Sequence, residues 1–401
     1  VPRALPHAAQ PEARHAVVVG AGLAGGFAAQ ALARAGLEVT VLERREAPAC
    51  ETSGNPGGLF HGTVNADDGP YARLFRSAAL HAARAYRSAI DAGVPGAVGG
   101  LLRLHTAAAG PPAMQAVLAA LGLPPGYVQA LDAGEAAALA GVPLPLPAWF
   151  FPEGGWLSPP AGTRHALASA GVHFRGGVDV ASLERIAAGW RLRDAAGQVL
   201  AEAPVVVLAN AGQAQALAGT RWPLRHTRGQ VTHWAARHGL QLPVAGDGYA
   251  VPLPDGLLCG ATREAGEPGD EAVREADHRW NLERLQRLTG LTAPPQTSSW
   301  QGRTGYRLHT DDRLPIVGAL PAATQPPRRD QGRLLLREPG LFALTALGAR
   351  GLTLAPLMAR LIAAQATGSP WPLEQELADA VDPARWAVRA ARAGAAAQEP
   401  G

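Results

Sequence analysis

The segment from His15 to Glu43 constrains this chain more than any other. It reads "HAVVVG", then Ala21-Gly22-Leu23-Ala24-Gly25, then an alanine-rich stretch, then "LEVTVLE". The apolar β-branched run from His15 to Gly20 predicts a buried strand, Ala21 to Ala35 a helix, and Leu37 to Leu42 a second strand. Together they form one βαβ unit. G-x-G-x-x-G opens at Gly20 on the first strand-to-helix turn, and an acid, Glu43, stands at the end of the second strand. Gly20 permits the tight turn, Gly22 lets a pyrophosphate approach the backbone, and Gly25 lets helix and strand pack closely. The helix start at Leu23 and Ala24 offers free N–H groups and a partial positive charge to phosphate. Glu43 is placed to accept from ribose hydroxyls. This stretch predicts a dinucleotide-binding core and leaves NAD(P) or FAD open.

The rest of the chain reads as mixed structure. Glu51 to Asn65 is a glycine-rich loop and Tyr71 to Ala92 a long amphipathic helix. Leu101 to His105 and Val178 to Leu183 read as strands, and Ala113 to Leu121 as a helix. Trp190–Asp194 and Gln198–Ala201 flank a "DAAG" turn, a hairpin signal. "PVVVLA" at 204–209 is a buried strand leading to Gly212. From Arg228 to Ala261 short strands alternate with Gly and Pro turns, as in an antiparallel sheet. Glu271 to Leu288 and Gly351 to Ala366 are helices, and Pro321 to Gln331 is a polar loop. The expected class is α/β, α+β overall: a Rossmann-like nucleotide-binding domain interleaved with an antiparallel-sheet substrate domain. The boundaries read as a linker over 1–14, a nucleotide-binding domain over 15–65, 160–220 and 303–370, a substrate domain over 66–159 and 221–302, and a C-terminal tail over 371–401.

Composition removes several chemistries. All 36 basic residues are Arg, so a lysine Schiff base and a Walker-type lysine are excluded. The formal charge of +3 permits nucleic-acid binding without arguing for it. Cys50 and Cys259 form no CxxC, which excludes a cysteine-built metal site and fits a reducing, cytoplasmic setting. No metal site is expected. The first 15 residues lack an apolar signal core, and no apolar run has membrane character. Their Pro/Ala/Gln-rich lead reads as a linker in a chain cut from a longer protein.

Features beyond the βαβ unit favour FAD. An extended ADP half would reach Glu43 and Arg44, with adenine near Val180. Ser53, Gly54 and Asn55 could offer donors on the flavin side. Gly348-Ala349-Arg350-Gly351-Leu352 is a glycine turn opening a helix, whose N-terminus could stabilise charge on a reduced flavin. A NAD-dependent dehydrogenase would leave that turn without a purpose.

These residues resemble the FAD-dependent oxidoreductases of the D-amino-acid oxidase type, from about Ala16 to Trp386. "VVVLANAG" at 205–212 looks like that family's third nucleotide-domain strand. "GYRLHTDDRLPIVG" at 305–318 looks like its G-x-R-x-x-T-x-D-x-x-P-x-x-G stretch, with Arg307, Thr310, Asp312, Pro315 and Gly318 in the matching positions. Four further stretches, at 53–60, 152–159, 347–363 and 372–386, resemble the oxidoreductase half of the bifunctional tRNA 5-methylaminomethyl-2-thiouridine biosynthesis family. That resemblance implies non-covalent FAD and removal of the carboxymethyl group from 5-carboxymethylaminomethyluridine at the tRNA wobble position. It also implies tRNA as partner, and an S-adenosylmethionine-dependent methyltransferase domain fused upstream or separate. The sequence departs from the family at His61-Gly62-Thr63, where an aromatic residue or His is more often followed by Pro.

The implied chemistry is oxidation of a secondary amine, with the flavin taking hydride and the protein positioning and tuning. Arg307 is the choice for the substrate carboxylate, because a planar guanidinium makes bidentate bonds to it; an ion pair with Asp311 or Asp312 is the structural alternative. Arg303 is a second candidate. Tyr249 would line the pocket or be a core strand tyrosine. His61 would donate a proton or be a hydrogen-bonded loop histidine. Arg225 and Arg228 lie in a basic stretch interleaved with aromatics over 221–238, which suits phosphates and unstacked bases or is a solvated sheet edge. An oxidase of glycine, sarcosine or a D-amino acid is the competing activity, and a non-enzymatic flavin-binding module a third reading.

Overall fold

The computed structural model describes residues 9–105, 110–235, 238–292, 300–326 and 328–396. The chain divides into two compact units. The first comprises Val1–Cys50, Thr163–Leu224 and Leu308–Gly401; the second comprises Glu51–Gly162 and Arg225–Arg307.

The first unit is built on a six-stranded sheet. β1 (His15–Val19), α1 (Leu23–Arg34) and β2 (Glu38–Leu42) form the expected βαβ unit. In spatial order the strands are Ile316–Pro321, Arg337–Thr345, Val205–Leu208, β1, β2 and Val172–Arg175. Five run parallel and Ile316–Pro321 is antiparallel at one edge. β1 and Val205–Leu208 occupy the centre, which is why both read as unbroken runs of buried Val and Leu. α1 packs against the helix Gly351–Thr367. That helix is apolar nearly all round, Arg360 apart, and is buried along nearly its whole length.

The "DAAG" hairpin forms as expected, with Leu192 opposite Ala201 and Gln198 N–H donating to the Asp194 carboxylate at 2.8 Å. The strand expected over Val178–Leu183 is corrected. Val172–Arg175 pairs with β2, and Ser182–Ile186 begins the separate hairpin sheet. Residues 178–180 run between them without strand pairing. Apolar alternation there reflects burial of Val180 in the core, not a ladder. The C-terminal stretch expected as a tail is an integral layer. Trp222 Nε1 donates to Pro383 O at 3.0 Å, and Arg385 forks onto Asp312 at 2.9 Å through both Nε and Nη2.

The second unit carries a nine-stranded sheet among the described residues. Its order is Glu264–Ala265, Leu224–Trp234, Gly256–Gly260, Gly248–Leu253, Val244–Gly246, Leu101–Leu104, Ala148–Phe151 and Gln129–Leu131, with Trp300–Thr310 pairing to Leu224–Trp234. One face packs under the helices Ala133–Ala140 and Glu275–Thr289 through Leu102, Val244, Ala250, Cys259, Leu285 and Leu288. The opposite face carries Arg103, Trp149, Ala245, Tyr249 and Val231, since residues paired across strands share a face. The stretch 51–65, expected as a loop of the nucleotide-binding domain, belongs to this unit. It holds a single 3₁₀ turn, Thr52–Gly54, and a short strand, Gly58–Phe60. No helix among the described residues is long and apolar enough to cross a membrane.

Candidate functional site

In the first unit the turn after β1 is held by close backbone approach. Gly20 has φ +99°, and a Cβ there would lie 2.8 Å from Ala209 O. A Cβ on Gly25 would lie 1.8 Å from Gly20 O, so no side chain fits. Gly22 is the N-cap of α1, and neither a side-chain cap nor an acid occupies the first turn. Leu23 is buried and Ala24 half-buried at that start. The positive end of the α1 dipole lies at this turn.

Glu43 has a second task beside the one expected. Its Oε2 accepts from Ala21 N–H at 2.7 Å and its Oε1 from Arg45 N–H at 3.0 Å, so the acid braces the glycine turn. Each carboxylate oxygen keeps a further lone pair. Arg44 is exposed beside it, and Val180 is buried with Leu42 and Val19. Gly212 lies in the 3₁₀ turn Ala211–Gln213, whose Ala211 carbonyl accepts from Thr345 Oγ1 at 3.0 Å. Gly348 and Arg350 form the 3₁₀ turn into Gly351–Thr367, again with no side-chain cap; Leu352 is buried. Gly351 lies against the start of α1, where a Cβ would come 3.2 Å from Leu23 Cδ1. Two uncapped helix N-termini thus stand side by side. Asn210, which sequence reasoning missed, follows the strand Val205–Leu208 beside Gly20, and its Oδ1 is buried without a hydrogen-bond partner among the described residues. A cradle with no room for Cβ atoms, two helix N-termini without side-chain caps and an orphaned acceptor fit a bound dinucleotide.

In the second unit one arginine stands out. Arg307 Nη2 donates to Thr262 O at 2.6 Å, and no carboxylate pairs with Arg307 among the described residues. The expected alternative, a pair with Asp312, is overturned: Arg385 and Arg389 hold Asp312 at 2.9 and 2.8 Å. Burial holds the guanidinium pKa below its usual value; Tyr249 opposes that and Arg263 adds to it. Tyr249 is pushed up to about 12 by burial, with Arg307 pulling the other way. Its hydroxyl makes no hydrogen bond among the described residues. Gly229 makes the arrangement possible, because a Cβ there would lie 2.2 Å from Arg307 Nη2. Gly229 and Thr262 were missed from sequence, although a glycine inside a strand pattern is itself a sign of close approach.

Three other predicted residues take structural places. Arg228, 2% exposed, bonds Asp277 at 2.8 Å, Asp270 O at 3.2 Å and Ala272 O, and faces the helix-covered side with Gln230 and Thr232. Strand alternation turns it away from the face that carries Val231 and Gly229. Arg303 donates to Asn55 Oδ1 at 3.1 Å and to Glu51 O, clamping the turn that contains Ser53 and Gly54. His61, 3% exposed, bonds Gly62 O at 2.6 Å through Nδ1 and packs on Phe151, as a loop histidine does. Arg225 remains exposed.

The sequence matches the family described as FAD dependent oxidoreductase (DAO) over residues 15–365. The chain belongs to that family. Its cofactor is FAD, and the D-amino-acid-oxidase-type resemblance stands. The chain is 45% identical over 95% of its length to the tRNA 5-methylaminomethyl-2-thiouridine biosynthesis bifunctional protein MnmC of Methylibium petroleiphilum, covering 61% of that protein. Identity to the protein of the same name from Burkholderia cenocepacia is 44%, over 98% of this chain and 63% of that one. The chain thus spans under two thirds of these relatives. Glycine oxidase from Geobacillus kaustophilus has a similar fold, with TM-score 0.69 and 23% identity over 90% of this chain and 97% of that one.

Proposed function

We propose that this chain is the FAD-dependent oxidoreductase part of a cytoplasmic tRNA-modifying protein. It oxidatively removes the carboxymethyl group from 5-carboxymethylaminomethyl-(2-thio)uridine at the wobble position and leaves the 5-aminomethyl nucleoside. The observation that carries this reading is the 45% identity along 95% of the chain to a relative whose name states that pathway. A methyltransferase partner, fused or separate, follows from the same names and from the length they add.

Gly20, Gly22, Leu23, Ala24 and Gly25 would take the pyrophosphate on backbone N–H groups, and Glu43 the ribose through its remaining lone pairs. Gly348, Arg350, Gly351 and Leu352 would put the second helix start toward the flavin. Arg307 has the chemistry for the substrate carboxylate: it is desolvated, prepositioned by Thr262 O over Gly229, and without an acid to displace. Bound FAD supplies the two-electron acceptor for the C–N carbon; the imine left behind adds water and releases glyoxylate. The amine must be neutral to react, and the apolar surroundings of Tyr249 disfavour its protonated form. Tyr249, neutral at all working pH, can donate a hydrogen bond and is no base.

The test is anaerobic reduction of the holoenzyme by tRNA carrying the modification, beside glycine, sarcosine and D-alanine. Loss of the visible flavin band with tRNA alone is expected. Reduction by a small amine alone would overturn the reading and make this an amine oxidase, the activity of the glycine-oxidase neighbour.

A further inference from the structure

Arg103 is a second arginine, on the same sheet face as Tyr249, that the proposed reaction does not use. It lies on Leu101–Leu104, between Trp149 on one neighbouring strand and Ala245 on the other. Ala245 is in turn opposite Tyr249, Tyr249 opposite Gly260, and Gly260 opposite Val231. Trp149, Arg103, Ala245, Tyr249 and Val231 therefore share one face, and Gly229, two residues before Val231, presents the Arg307 guanidinium on that same face. Arg103 is half-buried and makes no hydrogen bond or ion pair among the described residues. Burial holds its guanidinium pKa below the usual value, with Tyr71 opposing. A desolvated guanidinium without an acceptor is costly unless an anion completes it.

Four strand spacings separate Arg103 from the strand that carries Gly229, about 19 Å laterally at the usual spacing near 4.8 Å. An amino acid has one carboxylate next to its amine and cannot reach both arginines. A wobble nucleotide has a carboxylate at one end of its base substituent and phosphates on its ribose; the Arg307 guanidinium already lies over Gly229, and the Arg103 side chain shortens the span from the other end. We propose that Arg103 binds a phosphate of the modified nucleotide while Arg307 holds its carboxylate, so that the sheet face selects a nucleotide over a free amino acid. The inference rests on the tRNA reading and adds the group that recognises the polynucleotide.

The test compares three substrates on wild-type holoenzyme and on Arg103→Gln and Arg103→Lys. These are the modified anticodon stem-loop, the 5-carboxymethylaminomethyluridine nucleoside, and that nucleoside with its phosphates. Loss of one charge-assisted contact predicts a KM about tenfold or more higher for both phosphate-bearing substrates in Arg103→Gln, with kcat held. The nucleoside KM should not change, and Arg103→Lys should recover part of the loss. An equal rise for nucleoside and nucleotide, or no rise for either, overturns the proposal while leaving the tRNA reading intact. Failure of wild type to turn over any of the three overturns the tRNA reading and this inference with it. Unchanged flavin content in each variant shows that the fold is kept.

Discussion

The turn after β1 and the sheet face around Arg307 are both suited to an anion, by opposite means. The turn uses backbone: Gly20 and Gly25 remove side chains so that N–H groups can be approached. The sheet face uses side-chain charge, with Arg307 and Arg103 held half-buried away from carboxylates. The difference teaches where each can be damaged. A backbone site fails by steric intrusion at glycine, and its loss is close to all-or-none. A side-chain site loses its function in steps, as charge, shape and placement are removed separately.

Gly25→Ala carries the largest expected effect. A Cβ 1.8 Å from Gly20 O has only backbone to displace. The purified variant should hold almost no FAD, measured as flavin absorbance per protein, whatever its residual folding. A variant with full flavin content would break the comparison, because the cradle would then tolerate a side chain. Arg307→Ala comes next and should leave flavin content at the wild-type level. Breaking one partner of a buried charge pair costs about 3–5 kcal/mol, so kcat/KM for the carboxylate substrate should fall about 10²- to 10⁴-fold. Arg307→Lys should recover only part, since a point charge lacks the bidentate fork. An Arg307→Ala enzyme with unchanged kcat/KM would remove the side-chain half of the comparison.

Gly229→Ala sharpens it. The intruding methyl meets mainly the far end of a flexible arginine but also the Thr262 carbonyl oxygen at 2.9 Å, so the fold should hold with some loss of thermal stability. Arg307 must move, however, and a misplacement of about 1 Å can cost up to about 100-fold in rate. The expected result is normal flavin content, a modestly lower Tm, and a fall in kcat/KM smaller than for Arg307→Ala. Combined with Arg307→Ala, it should add almost nothing, since both act on the same guanidinium.

The two regions were not equally legible. The cradle was readable because its logic is local: strand, glycines, helix and Glu43 lie within one short stretch. Even there Asn210 escaped, because it reaches Gly20 only through the parallel pairing of β1 with Val205–Leu208. The sheet face depends on pairing between distant strands. Arg228 and Arg307 look alike in sequence, yet strand alternation sends Arg228 under the helix Glu275–Thr289 to meet Asp277, and leaves Arg307 over Gly229. The Arg303 clamp on the Thr52–Gly54 turn was hidden for the same reason, since Glu51 and Asn55 are far from it in the chain. The short elements at Gly96–Val98, Gln129–Leu131 and Gly155–Leu157 also escaped, because three-residue strands carry too little alternation to register.

Tyr249→Phe should have the smallest effect. The hydroxyl is pushed up to about 12 by burial against Arg307's opposing pull, so it stays protonated wherever the enzyme is assayed. Replacing it removes one hydrogen-bond donor and should lower kcat/KM less than about tenfold. The pH–rate profile should keep its shape, whereas a catalytic base would lose its limb. Stability gives the complementary sign. The unfolded tyrosine ionises near pH 10 and the folded one about two units higher, so between those values the unfolded state binds fewer protons. Stability therefore falls as pH rises from about 10 to about 12, and Tyr249→Phe should flatten that slope in denaturant melts. A profile that loses its alkaline limb in the Phe variant would instead make Tyr249 an acid–base group, and the sheet face would then do proton chemistry as well as hold anions.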